Sequence, residues 1–147
     1  MSVRGLDHVS VTCADLDRSL AFYHGMLGIP VRSRGQLAGP AIDAVLGHYG
    51  VDGAFADLEL GEGRTLELVQ YRTPHGAPLA IEVHRPGAGH LALRVDDVDW
   101  LADRLRENGY GPGAAVTLDE PGSFWHGARI LYVQDPDGAV VELIQRL

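Results

Sequence analysis

Two histidines and two glutamates recur as pairs along the chain. His8 lies in Asp7-His8-Val9-Ser10-Val11, and 82 residues later His90 lies in Gly89-His90-Leu91-Ala92-Leu93. Glu67 lies in Thr65-Leu66-Glu67-Leu68-Val69, and 75 residues later Glu142 lies in Val140-Val141-Glu142-Leu143-Ile144. An unpartnered carboxylate in so apolar a strand is costly, so it is normally paired or bound to a metal. No lysine exists to pair with either one. Taken singly, each of the four reads as an ordinary strand histidine or edge-strand glutamate. Taken in register within two repeated units, a pseudo-two-fold axis would carry all four to one point. Two imidazoles and two carboxylates there suit Zn, Ni, Co, Mn or Fe(II).

The elements that would position them also repeat. Each histidine strand runs into an acidic turn, Ala14-Asp15-Leu16-Asp17 or Asp96-Asp97-Val98-Asp99, followed by a helix. The helices read as Arg18 to Leu27 and Trp100 to Asn108, with Asp15 or Asp17 and Asp97 or Asp99 as N-caps and Gly28 and Gly109 as stops. Each half then ends in antiparallel strands and a hairpin, turned by Gly61-Glu62-Gly63 or Asp135-Pro136-Asp137-Gly138. Strand parity puts His8, Ser10 and Thr12 on one face, and His90, Ala92 and Arg94 on one face, opposite purely apolar faces that pack on the helices. Residues 35–53 and 111–127 read as loops, the former with a short helix at Ile42 to Leu46. A Pro- and Gly-rich connector spans Thr73 to Gly89, with a boundary near residue 80.

Composition narrows the classes. The chain has 147 residues, with 46% hydrophobic and 22% charged residues, which suits one globular domain of two halves. Twelve basic residues, all Arg, against 20 acidic ones give a net charge of -8, so no basic nucleic-acid surface is expected. An anionic substrate must therefore be captured by local arginines. No apolar run is long enough for a membrane span, and the opening Met-Ser-Val-Arg-Gly-Leu-Asp-His shows no signal peptide. The single cysteine, Cys13, cannot form an intrachain disulfide, and a cytoplasmic location is the expectation.

Four motifs resemble the vicinal oxygen chelate superfamily, the glyoxalase, bleomycin-resistance and extradiol dioxygenase group. They are Asp7-His8-Val9-Ser10-Val11, Ser19-Leu20-Ala21-Phe22-Tyr23 to Leu27-Gly28, Gly89-His90-Leu91-Ala92-Leu93-Arg94-Val95-Asp96-Asp97, and Tyr132-Val133-Gln134-Asp135-Pro136-Asp137-Gly138 to Glu142-Leu143. The resemblance spans nearly the whole chain. It implies an α+β fold of two βαβββ modules, residues 1–75 and 86–147, forming a cupped mixed sheet around one divalent metal ion with helices outside. It places His8, Glu67, His90 and Glu142 on the four ligand positions, the set of glyoxalase I. It also implies a homodimer, the cup forming within one chain or across a swapped dimer.

The implied chemistry is chelation of two adjacent substrate oxygens and proton abstraction from the neighbouring carbon, by a glyoxalase I-like lyase or an epimerase-like isomerase. Glu142 and Glu67 are the candidate bases, with Glu142 favoured. An Fe(II)-dependent dioxygenase and a non-catalytic drug-binding resistance protein are the alternatives. Tyr132 and Arg94 are candidate substrate-binding residues by strand parity, and Trp125 and His126 by their place in a Gly-bordered loop.

Overall fold

The structure is a computed structural model that describes residues 2–146. It is α+β, and it divides between Pro78 and Leu79 into two compact units. The first unit holds strand β1 (His8–Thr12), helix α1 (Leu16–Leu20) continued by a π-helical segment (Ala21–Met26), β2 (Val31–Ala38), helix α2 (Pro40–Leu46), β3 (Asp52–Glu59) and β4 (Thr65–Thr73). The second holds β5 (His90–Arg94), helix α3 (Val98–Glu107), β6 (Val116–Thr117), β7 (Arg129–Gln134) and β8 (Val140–Gln145). Each unit forms its own four-stranded mixed sheet, in the orders β1-β4-β3-β2 and β5-β8-β7-β6. The histidine strand pairs parallel with the glutamate strand in both, and the other pairings are antiparallel.

The helix after each histidine strand starts on the predicted signal. Asp15 accepts a hydrogen bond from the Arg18 N–H at 2.9 Å, and Asp97 accepts one from the Trp100 N–H at 2.9 Å. A glutamine near the end of each glutamate strand satisfies another first-turn donor. The Leu16 N–H donates to Gln70 Oε1 at 3.3 Å, and the Val98 N–H donates to Gln145 Oε1 at 3.0 Å. Each helix is thus tied to the strand bearing the glutamate. The first unit buries Phe22, Tyr23, Leu58, Leu66 and Leu68 behind its sheet, and the second buries Val98, Leu105, Leu131, Val141 and Leu143.

Both expected loops contain strands. The stretch from Gly35 includes the outer end of β2, and residues 111–127 include β6. Both lie at sheet edges, where one side of the strand has no partner and the alternation of apolar residues fades. At Gly35 an added Cβ would sit 2.5 Å from Cε1 of Phe55, so the ring that covers this position would have to move to admit a side chain.

Candidate metal centre

In the first unit His8, Ser10 and Thr12 occupy the face of β1 away from the core, as parity predicts, and pair in register with Thr65, Glu67 and Val69 of β4. His8 Nε2 lies 4.0 Å from Glu67 Oε2. Its other ring nitrogen, Nδ1, is 2.8 Å from Asp7 Oδ1. With the Nδ1 hydrogen donated to that carboxylate, Nε2 keeps a lone pair facing Glu67, the form a metal ligand needs. The hydrogen bond to Asp7 is also the largest influence on His8, opposed by desolvation. With the charges of Glu67, Asp7 and Asp57, it raises the imidazole above its ordinary pKa.

Asp57 is the residue that sequence reasoning missed. It stands directly across β3–β4 from Glu67 and accepts a hydrogen bond from Ser33 Oγ at 2.6 Å. Like charges opposite one another on a sheet are destabilising, so this face of the first unit favours a cation. The signal was available, because the 75-residue spacing that relates Glu67 to Glu142 also relates Asp57 to Tyr132.

In the second unit the pair is tighter. His90 Nε2 and Glu142 Oε2 share a hydrogen bond of 3.0 Å, and Glu142 is only 7% exposed. Tyr132 lies directly across β7–β8 from Glu142. The Tyr132 ring packs edge-on against the His90 ring, with centroids 5.6 Å apart. Burial, and then the charge of Glu142, push the phenol above its ordinary pKa, so its hydroxyl stays a donor. The structure therefore brings together His8 with Glu67, and His90 with Glu142 and Tyr132.

Arg94 lies on the His90 face of β5, beyond Ala92. Trp125 and His126 are engaged elsewhere. The guanidinium of Arg146 stacks on Phe124 and Trp125, at 4.2 Å and 4.5 Å from the ring centroids, and His126 Nδ1 lies 3.5 Å from Asp119. A groove of about 420 Å³ in the first unit is lined by Leu20, His24, Val31 and Arg34 and holds none of the four histidine and glutamate donors.

Among the described residues, no three His, Cys, Asp or Glu side chains gather closely enough to hold a metal ion. Each unit presents two donors, and a catalytic metal site commonly uses three from the protein. The donor chemistry nonetheless fits a divalent ion. Two imidazoles and two carboxylates are suitable ligands, and among the described residues the buried Glu142 carboxylate has no Arg partner.

Known proteins share this architecture. The chain is 32% identical over 140 residues to a probable lactoylglutathione lyase from Synechocystis sp., covering 94% of this chain and 92% of the relative. It is 29% identical over 139 residues to a lactoylglutathione lyase from Salmonella typhimurium, covering 94% and 90%. A glyoxalase family protein from Bacillus cereus has the same fold, with a TM-score of 0.86 at 21% identity over 100% of this chain and 97% of that one. A family model matches residues 5–143, and the chain belongs to the Glyoxalase/Bleomycin resistance protein/Dioxygenase superfamily.

Proposed function

We propose that His8 and Glu67 form one half of a divalent-metal site and that His90 and Glu142 form the other half. The protein is then a metal-dependent enzyme of the isomerising, glyoxalase I-like type, acting on a hemithioacetal or a similar substrate with adjacent oxygens. The observation that carries this reading is Glu142, a buried carboxylate beside His90 and Tyr132 with no Arg partner among the described residues. Relatives named lactoylglutathione lyase support the choice of substrate class.

A bound divalent ion supplies Lewis acidity to a substrate carbonyl, which lowers the pKa of the neighbouring C–H. The chain's own residues handle the proton. Glu142 is the base we assign, because the apolar strand around it shields it from water and Tyr132 stands directly across the sheet from it. It takes the proton from the carbon bearing sulfur and hydroxyl, and a proton returns to the adjacent carbonyl carbon. One carbon is oxidised as its neighbour is reduced, so no external oxidant is needed. Glu67 is the second candidate base. General acid–base help of this kind is worth about 10²–10⁴-fold.

The test is chelation followed by reloading with Ni, Zn, Co, Mn or Fe(II), with thioester formation from methylglyoxal and glutathione followed by absorbance. Activity lost on chelation and restored by a divalent ion is the expected result. No turnover of any hemithioacetal in any loaded form contradicts the reading. Oxygen uptake with catechols in the iron form alone would favour a dioxygenase instead.

A further inference from the structure

Beside Glu67 stands a second carboxylate that the two-donor half-site does not use. The alternation of β3 puts Asp57 on the face that carries Glu67, and the register sets the two side by side on neighbouring strands. Ser33, in the same row on β2, donates its hydroxyl to Asp57 Oδ2 at 2.6 Å. Among the described residues Oδ1 has no donor, and no arginine pairs with Asp57. Arg34, next to Ser33 in the chain, lies on the opposite face of β2 and takes Asp17 at 2.6 Å. Two carboxylates set opposite one another destabilise the sheet, and a donor brought by another molecule offsets that repulsion.

The surroundings restrict what that donor can be. Phe55, two residues back on the same face, lays its ring over Gly35, so the next row is the apolar run Val69, Phe55 and Gly35. Asp57 itself is half-buried. Reduced access of water strengthens a hydrogen bond to a charged acceptor. An anionic group would be repelled by Asp57 and Glu67 together. Neighbouring strands stand about 4.8 Å apart, which puts Asp57 within reach of a hydroxyl one carbon beyond an oxygen held at Glu67. In the second unit the residue across from the glutamate is Tyr132, an uncharged phenol. Of the two residues that face the glutamates, only Asp57 is a pure acceptor.

We propose that Asp57 is a specificity-determining residue: its free oxygen accepts a hydrogen bond from a hydroxyl on the substrate carbon next to the two chelating oxygens. The substrate class is then the hemithioacetal of an α-oxoaldehyde whose third carbon bears a hydroxyl, in place of one that ends in a methyl group. This inference rests on the metal-site reading above.

The experiment compares the glutathione hemithioacetals of hydroxypyruvaldehyde and methylglyoxal, which differ by one hydroxyl, in the metal-loaded wild type, D57A and D57N. The readout is the ratio of the two kcat/KM values within each protein, so a loss common to both substrates cancels. The wild type is expected to prefer the hydroxylated adduct by about tenfold or more, the scale of a hydrogen bond to a charged group. D57A should bring the ratio close to unity. D57N keeps the shape and one acceptor oxygen, so it should retain part of the preference, and it stands in if the alanine variant fails to fold. A wild-type ratio at or below unity, or a ratio unchanged in every variant that folds, overturns the proposal. If neither adduct turns over in any loaded form, the lyase reading fails, and Asp57 is judged by calorimetric titration with the corresponding thioesters, S-glyceroylglutathione and S-lactoylglutathione. Tighter binding of the glyceroyl thioester by the wild type, lost in D57A, sustains the role of Asp57. No preference in the wild type, or one that survives in D57A, overturns it.

Discussion

The two units carry the same histidine and glutamate in the same strand pairing, yet the rows around the glutamates differ. In the first unit the row reads Ser10, Glu67, Asp57 and Ser33 across β1, β4, β3 and β2. In the second it reads Ala92, Glu142 and Tyr132 across β5, β8 and β7. Glu67 is partly exposed, stands 4.0 Å from His8 and faces another carboxylate. Glu142 is buried, shares a hydrogen bond with His90 and has Tyr132 directly across the sheet. Duplication thus repeats the scaffold and the donors, and the neighbours divide the labour. In the proposed site the first unit would offer negative charge to a cation, and the second a desolvated base.

The largest effect should come from Glu142→Gln. The amide keeps the shape and removes the charge, so turnover of the hemithioacetal should fall by about 10³-fold or more. Metal content measured on the same preparation should fall with it. The melting temperature should hold or rise, because a buried carboxylate becomes neutral. Glu67→Gln should cost less in activity, because the amide oxygen still offers a donor and Glu142, the assigned base, is untouched. Equal losses in the two variants would break the contrast between the units.

Tyr132→Phe removes only the hydroxyl. The net worth of one hydrogen bond predicts a drop in kcat of about five- to tenfold, with metal stoichiometry unchanged. A loss of metal in this variant would instead make Tyr132 part of the binding set.

Repetition made the donors legible in the sequence. A single His or Glu in a strand says little, but His8 with His90 and Glu67 with Glu142 share strand contexts at matched places. The helix caps were legible because Asp15 and Asp97 stand where orphaned N–H groups begin. Gln70 and Gln145 were visible as a matched pair, but their bonds to helix N–H groups need the strand and helix to be placed in space. Asp57 was hidden because its counterpart is a tyrosine, so a search for identical residues passes over it. Strand β2 was hidden for a different reason. Its sequence, Val-Arg-Ser-Arg-Gly-Gln-Leu-Ala, is polar and glycine-containing, as an exposed edge allows. The π-helical segment at Ala21–Met26 had no sequence signal at all, since its residues fit an ordinary helix.

The smallest effect expected concerns a feature the two units share. Arg72 clasps Asp52 through two hydrogen bonds of 2.7 Å, and Arg129 clasps Asp99 through bonds of 2.8 Å and 2.6 Å. The hydrogen bond from the arginine holds each aspartate below its ordinary pKa. A carboxylate with a lowered pKa in the fold contributes stability above its unfolded pKa and loses it as pH falls through the folded value. Asp52→Asn and Asp99→Asn should therefore be slightly less stable than the wild type near neutrality. The gap should close as pH falls below about 3.9, the ordinary aspartate value. Thermal melts across that range check this, and a gap that widens in acid contradicts the sign.

If two half-sites make one metal centre, metal stoichiometry shows it most directly. Elemental analysis of the wild type and of two double variants, His8→Ala with Glu67→Ala and His90→Ala with Glu142→Ala, each loaded and then desalted, should find about one divalent ion per chain in the wild type. It should find a large loss in both double variants, because either half alone has too few donors. A wild type that takes up no metal, or full retention when one half is removed, would contradict the claim that the two units act as one site.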